Sequence, residues 1–382
     1  MKTELKFILD VLQEKPSMPD KNFDWYFILG FLELNKISGY FFNKTKEFDL
    51  RLPQSVERKL SQILKIQAER NYFMRKYLQD ISDELRYEKI RYAFLKGSVL
   101  SNTNFRFSEK SFNCMALPEQ SVQVYRQQAD EPFYENGERI SNDIDLLVEQ
   151  KDITVLSEIL KRMGFVQGYY NFREGRVVSL SRTEILSRRM NRGETAPFIL
   201  KTESTIVPFI EVDINFSLDY LPNSRGEMLH SILKNSISYA GKIKGGIRSL
   251  LADDFFLHLV MHQYKESILY SMVQRNKDSE LYKLLDIYLF IKKGYIELSN
   301  LYNKIRKYDL DKPVYSVMKE VSEVFNDFLF SDYEYMFRTD NCKNTNEIID
   351  PPTGKKYIWG NSLAERLEHF GKEQFLHEGK NE

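Results

Sequence analysis

A chain of 382 residues is long enough for two or three domains. Its 55 basic and 55 acidic side chains cancel to a formal net charge of zero, which excludes the broad basic excess of a protein that coats nucleic acid but leaves room for a local basic pocket. Two distant cysteines, Cys114 and Cys342, make no disulfide framework, the first residues mix charge with apolar side chains unlike a signal peptide, and no run approaches the ~20 apolar residues of a membrane span, so the expectation is a soluble cytoplasmic protein.

From residue 2 to 90 the pattern is helical. Trp25, Phe27, Ile28, Phe31 and Leu32 recur at helical spacing, and so do Val56, Leu60, Ile63 and Leu64 after Pro53, a residue suited to a helix start. A long helix is expected over about 53–87. This region carries no catalytic signature and reads as a packing and lid-forming helical domain. Residues 91–95 form a short aromatic and apolar run, a predicted strand, which ends in Lys96-Gly97-Ser98. Glycine lets backbone N–H groups approach an anion, and a following helix would add its N-terminal dipole. Alone, such a tripeptide is an ordinary turn.

Residues 102–138 are polar, with interspersed aromatic residues and no periodicity. They read as a long insertion or mobile loop, of the kind that covers a pocket or docks a partner. Next comes Arg139-Ile140-Ser141-Asn142-Asp143-Ile144-Asp145-Leu146-Leu147-Val148, which alternates like a half-buried strand. Side chains on a strand repeat every two residues, so Asp143 and Asp145 share one face and Ile144, Leu146 and Val148 the other. Two carboxylates facing one solvent pocket repel unless a cation lies between them, an arrangement that suits a hard, oxygen-seeking metal such as Mg²⁺.

An amphipathic helix is predicted over 154–163, with Gly164 as its stop. Residues 165–180 have turn and strand character, and 197–216 read as paired strands. In the second of these, Glu211, Asp213 and Asn215 share one face and Ile210, Val212, Ile214 and Phe216 the other. Asp213 is thus a third candidate carboxylate, with Glu211 competing for the role. From residue 226 the chain is mostly helical again, with a hairpin over 242–248. Gly241-Lys242 lacks the remainder of a P-loop. Asp253 and Asp254 suit the first turn of a helix running through Tyr264, and further helices are expected over 281–291, 295–305 and 314–330. Residues 339–354, with Pro351-Pro352, read as a linker by composition, and a last amphipathic helix as 362–375. The pattern divides the chain into an N-terminal helical region (1–90), a core (91–220) and a C-terminal helical region with a tail (221–382).

Three carboxylates on two neighbouring strands, behind a Gly-Ser turn, suit two-cation phosphoryl chemistry. In such sites two metals ~3.5–4 Å apart stabilise the attacking and leaving oxygens of an in-line displacement. Gly97 and Ser98 would hold the β- and γ-phosphates of a nucleoside triphosphate, and Asp213 would stand near enough to take the proton of an attacking hydroxyl. Lys96 is either a phosphate contact or an exposed residue at a strand end. His258 and His262 lie four apart on one helix face, but Leu259 stands where a zinc protease needs Glu, so packing is the simpler reading. Lys265, a turn beyond His262, reads as a surface lysine within reach of a triphosphate.

Leu95-Lys96-Gly97-Ser98, then Arg139-x-Ser141-Asn142-Asp143-Ile144-Asp145-Leu146-Leu147-Val148, then Gly164-Phe165 and Val212-Asp213, resemble the DNA-polymerase-β-type nucleotidyltransferases. The likeness is greatest to a bacterial group of uncharacterised nucleotidyltransferases often found with peptide-biosynthesis clusters, and it covers much of the chain. It implies an α+β fold, a polymerase-β-like core of mixed sheet flanked by helices. It also implies two Mg²⁺ ions and an NTP, with ATP the expected donor. By position, Gly97 and Ser98 match the phosphate turn, Asp143 and Asp145 the metal pair, Asp213 the third carboxylate, and Arg139 and Ser141 residues beside the pair. The chain departs from the group in a longer interval between Ser98 and Asp143, and in Val-Asp-Ile-Asn at 212–215 where Asp-x-His-Trp is usual. The acceptor expected is a peptide, protein or small molecule. The alternatives are a catalytically silent module that binds a peptide or protein, and an antitoxin or abortive-infection nucleotidyltransferase.

Overall fold

The computed structural model describes residues 2–104, 132–191, 193–219, 225–327, 336–339, 342, 345–368 and 376–378. Most of the insertion expected at 102–138 lies outside them, as do Cys114 and 369–375. The N-terminal residues form α1 (Thr3–Leu12), α2 (Trp25–Leu34), α3 (Ser38–Glu47) and the long α4 (Gln54–Arg86), close to the helix expected over 53–87. By contact the chain divides into two units, residues 62–255 and residues 1–61 with 256–382. Both cuts fall within helices, in α4 and near Phe256 in another at Ala252–Ile268.

Residues 62–255 hold an eight-stranded mixed sheet. Its strands are β1 (Tyr92–Phe94), β2 (Ile144–Val148), β3 (Val166–Asn171), β4 (Arg176–Ser179), β5 (Phe198–Lys201), β6 (Phe209–Asn215), β7 (Ile237–Tyr239) and β8 (Ile247–Ser249). They lie in the order β4-β3-β5-β6-β2-β1-β8-β7. β2 runs parallel to β6 and β1 parallel to β8, and the other neighbours are antiparallel. With helices flanking this sheet, the protein is α+β, as the resemblance implied. The one-turn α5 (Lys96–Leu100) follows β1, α6 (Ile153–Arg162) follows β2, α7 (Arg182–Asn191) follows β4, and α8 (Gly226–Lys234) precedes β7.

Helix α6 buries Ile153, Leu156, Ile159 and Leu160 on one side and stops at Gly164, whose φ of +91° only glycine adopts readily. The amides of Gly164 and Phe165 then bond the carbonyls of Lys161 and Leu160, at 2.9 and 3.0 Å, and turn the chain into β3. β6 alternates as expected, with Ile210, Val212 and Ile214 fully buried. β2 does not: all five of its residues are buried. The alternation of Ile144, Leu146 and Val148 suggested a half-buried strand. As a central strand, however, β2 is covered on both faces, and Leu147 closes the carboxylate face beyond Asp145.

After β8, α9 (Ala252–Ile268) leads to α10 (Tyr270–Val273), α11 (Leu281–Lys292), α12 (Leu298–Lys307) and α13 (Asp311–Phe325). The linker read over 339–354 is corrected. Glu347–Asp350 and Lys355–Trp359 are strands β9 and β10 of an antiparallel hairpin, and Pro351-Pro352-Thr353-Gly354 is its turn. Turn-forming residues make both linkers and hairpins. Here Ile348, fully buried against Val273 and Trp359, decides for the hairpin. The helix expected over 362–375 is also shorter: α14 spans Leu363–Arg366 behind a Ser362/Glu365 capping box, and Leu376–Glu378 pairs with β10 as β11. Among the described residues no helix is long and apolar enough to cross a membrane.

Candidate active site

The parallel pairing of β2 and β6 sets Ile144 opposite Val212 and Asp145 opposite Asp213. Paired residues of neighbouring strands project from the same face, so this register delivers Asp143, Asp145 and Asp213 to one place. One oxygen from each carboxylate lies within 4.8 Å of the others, and no other group of three metal-ligating side chains meets this way among the described residues. Asp145 is the most enclosed, only 1% exposed. Its Oδ1 accepts from Lys96 Nζ at 2.8 Å and from Asn215 Nδ2 at 3.3 Å. Its Oδ2 is buried and has no hydrogen-bond partner. An orphaned buried acceptor is costly and needs a reason. Three converging carboxylates with one oxygen left over are a donor set that fits a hard divalent cation.

The electrostatics agree with this reading. Burial pushes the Asp145 carboxyl up, against the pull of the Lys96 ammonium, and the charge of Asp143 adds to the push. Asp213 is raised well above the ordinary carboxylate range, first by burial and then by Asp145, Asp143, Glu211 and Glu194. Glu211 is raised to about 7 by burial, with Asp143 and Asp145 adding to the effect. A patch of carboxyls that resist ionising together is one that a bound cation would relieve.

The turn between β1 and α5 closes one side of the site. The amide of Leu95 bonds the carbonyl of Asp145 at 3.0 Å, tying the turn to β2. Gly97 has no room for a side chain: a Cβ there would stand 2.8 Å from Ser141 Oγ and 3.0 Å from Ser141 Cβ. Ser141 Oγ in turn donates to the carbonyl of Asp143 at 2.7 Å, so the predicted turn and the predicted pair are packed together through Ser141. Ser98 is buried and its hydroxyl donates to Leu95 O at 2.7 Å. Beside it lies a cavity of about 10 Å³, room for one water, lined by Asn71, Ser98, Ser101, Asn102 and Ser141 among others. The helical dipole expected behind the turn is small, because α5 is a single turn of five residues. Arg139 is buried, its guanidinium donating to the carbonyl of Ile140, and its own carbonyl accepting from Asn71 Nδ2 and Ser101 Oγ, each at 3.0 Å.

Two placements differ from the sequence reading. Lys96 is not an exposed residue at a strand end; its ammonium is paired with Asp145. The helical stretch before β1, read as a packing and lid-forming domain with no catalytic signature, supplies Asn71 to the carbonyl of Arg139 and Arg70 Nη2 to Asn142 Oδ1 at 3.1 Å, and so grips the loop that leads into Asp143. A signal for this was present: Gln67 and Asn71 interrupt the buried stripe that continues through Met74, Leu78, Ile81 and Leu85. Asn215, placed by its alternation on the carboxylate face but given no role, proves to be a partner of Asp145. His258 and His262 stack at 6.3 Å between ring centroids on α9, with His262 Nε2 3.7 Å from Glu266 Oε2 and Lys265 on the same helix; among the described residues neither histidine joins a three-ligand metal group.

The sequence model of a family described as uncharacterised nucleotidyltransferase matches residues 21–108 and 131–326. The chain belongs to this nucleotidyltransferase family. The match covers the Lys96–Ser98 turn, both aspartates of β2 and its approach, and Asp213 with Asn215 on β6. No curated protein matches this nucleotidyltransferase. Membership supports transfer of a nucleoside monophosphate as the class of reaction, with a nucleoside triphosphate as substrate.

Proposed function

We propose that this nucleotidyltransferase moves a nucleoside monophosphate from an NTP, ATP being the expected donor, to a hydroxyl, phosphate or amine of an acceptor. A new bond forms between the acceptor atom and the α-phosphorus, the bond from that phosphorus to the β-bridging oxygen breaks, and pyrophosphate leaves with the electron pair. The observation that carries the reading is the convergence of Asp143, Asp145 and Asp213, with Asp145 Oδ2 buried and unpartnered among them.

These three residues would hold a divalent cation, with Mg²⁺ the expected one. Such an ion, when bound, supplies charge stabilisation to the phosphoryl oxygens in the transition state. The chain's own residues do the rest. Asn215 and Lys96 fix the orientation of the Asp145 carboxylate through its Oδ1. The close contact of Gly97 with Ser141 keeps the phosphate turn against the approach to β2. Asp213 is assigned to receive the acceptor's proton, with Glu211, two residues away on the same face of β6, as its neighbour. Among acceptors, a peptide, protein or small molecule is favoured over bulk nucleic acid by the balanced charge of the chain.

The test uses triphosphates labelled at the α-phosphorus, Mg²⁺, and a peptide and small-molecule extract. Labelled acceptor and pyrophosphate should form with the native chain and not with Asp143→Ala plus Asp145→Ala. A native chain that neither binds triphosphate nor differs from the double variant in any of these measurements would end the proposal.

A further inference from the structure

Two divalent ions ~3.5–4 Å apart are close enough for one carboxylate to bridge them, one oxygen to each. Asp145 is the residue placed to do so, being the innermost of the three. Its two oxygens are not equivalent, however. Oδ1 is occupied twice, by the Lys96 ammonium at 2.8 Å and by the Asn215 amide at 3.3 Å, and Oδ2 alone is unpartnered.

The ammonium is not a flexible surface group that happens to lean inward. The Lys96 side chain is 20% exposed and that of Asp145 is 2% exposed. Lys96 has a φ of +50°, in the left-handed region that residues other than glycine avoid. On one side of it the Leu95 amide is bonded to the carbonyl of Asp145; on the other Gly97 is pressed against Ser141. The turn is therefore fixed at both ends in a conformation that carries the lysine onto the carboxylate face.

We infer that the Lys96 ammonium takes the place of one of the two cations, so that the carboxylates load a single divalent ion through Asp143, Asp145 Oδ2 and Asp213. This rests on the reading that the three aspartates hold a divalent cation. Three carboxylates, one ammonium and one divalent ion sum to zero charge, so the loaded site is neutral before the triphosphate arrives. Lysine is suited to this exchange because its charge is compact and its three protons can be shared among several oxygens. One ion and one fixed side chain thus stand where the resemblance implied two ions.

The test is electron paramagnetic resonance of Mn²⁺ bound to the full chain, with and without a triphosphate whose α,β-bridge cannot be cleaved. The native protein should bind one Mn²⁺ per chain, with the spectrum of an isolated ion. Lys96→Met should admit a second ion, seen as dipolar broadening from a close Mn²⁺ pair, or tighten the first by about tenfold as a nearby positive charge is lost. A close Mn²⁺ pair in the native protein, or a Lys96→Met variant with unchanged stoichiometry and affinity, overturns the inference. If Lys96→Met does not fold, the native spectrum alone decides. Native protein that binds no Mn²⁺ at all overturns instead the cation reading on which the inference rests.

Discussion

Glu211→Gln isolates the electrostatic tension of the carboxylate cluster. Glu211 lies on β6 two residues before Asp213, and its carboxyl titrates at about 7 where an ordinary one titrates at 4.5. Burial is the main cause, with Asp143 and Asp145 adding to it. A folded value above the unfolded one means that the folded chain holds the extra proton between the two. Stability is then fully present below about 4.5, falls as pH rises through about 7, and stays reduced above that. At about 1.4 kcal/mol per pH unit, ionising Glu211 in place removes about 3 kcal/mol by pH 8, and solvent at its partly exposed end trims this to about 2. Glutamine has nearly the same shape and no such proton. Urea unfolding in EDTA should therefore show similar stabilities for native and variant chains at pH 5, and a variant more stable by about 2 kcal/mol at pH 8. The variant retains some decline from Asp145 and Asp213, which are raised in the same direction. Parallel pH curves for the two proteins would refute the reasoning, because Glu211 would then feel neither the burial nor its neighbours.

Saturating Mg²⁺ should flatten the native decline between pH 5 and 8 by neutralising Asp143 and Asp145, and the same denaturation series without EDTA checks this. Gly97→Ala should cost about 1–3 kcal/mol and most of the activity, since its Cβ would stand 2.8 Å from Ser141 Oγ, and Ser141→Gly in the same chain should recover much of the stability. Asn35→Ala should destabilise by about 1–3 kcal/mol, because it leaves the buried amide of Leu281, now bonded to Asn35 Oδ1 at 3.0 Å, without a partner; a shift in the urea midpoint at constant slope reads it out. Asp24→Ala removes a side chain that accepts from the amides of Tyr26 and Phe27 at the start of α2, and should cost about 1 kcal/mol by the same measurement.

Local pattern made much of this protein legible. The period of two put Asp143 with Asp145, and Glu211 with Asp213 and Asn215, because successive side chains of any strand leave opposite faces. Gly164 marked a helix end because few other residues take its backbone angle, and the stripe from Val56 onward outlined α4. What that pattern does not contain is which strands meet and in what register. Asp145 faces Asp213 only because β2 and β6 pair in parallel with Ile144 on Val212, and a slip of one residue would turn one strand's carboxylates to the other face. The pairing of Lys96 with Asp145, the hold of Asn71 on Arg139 and the hairpin around Pro351-Pro352 likewise join residues distant in the chain, or depend on a buried residue such as Ile348. Dihedral preferences and side-chain alternation act over a few neighbouring residues and so can be read from them. Register, burial and the partner of a charge arise from the packing of distant segments, and here they alone turned three separate aspartates into one site.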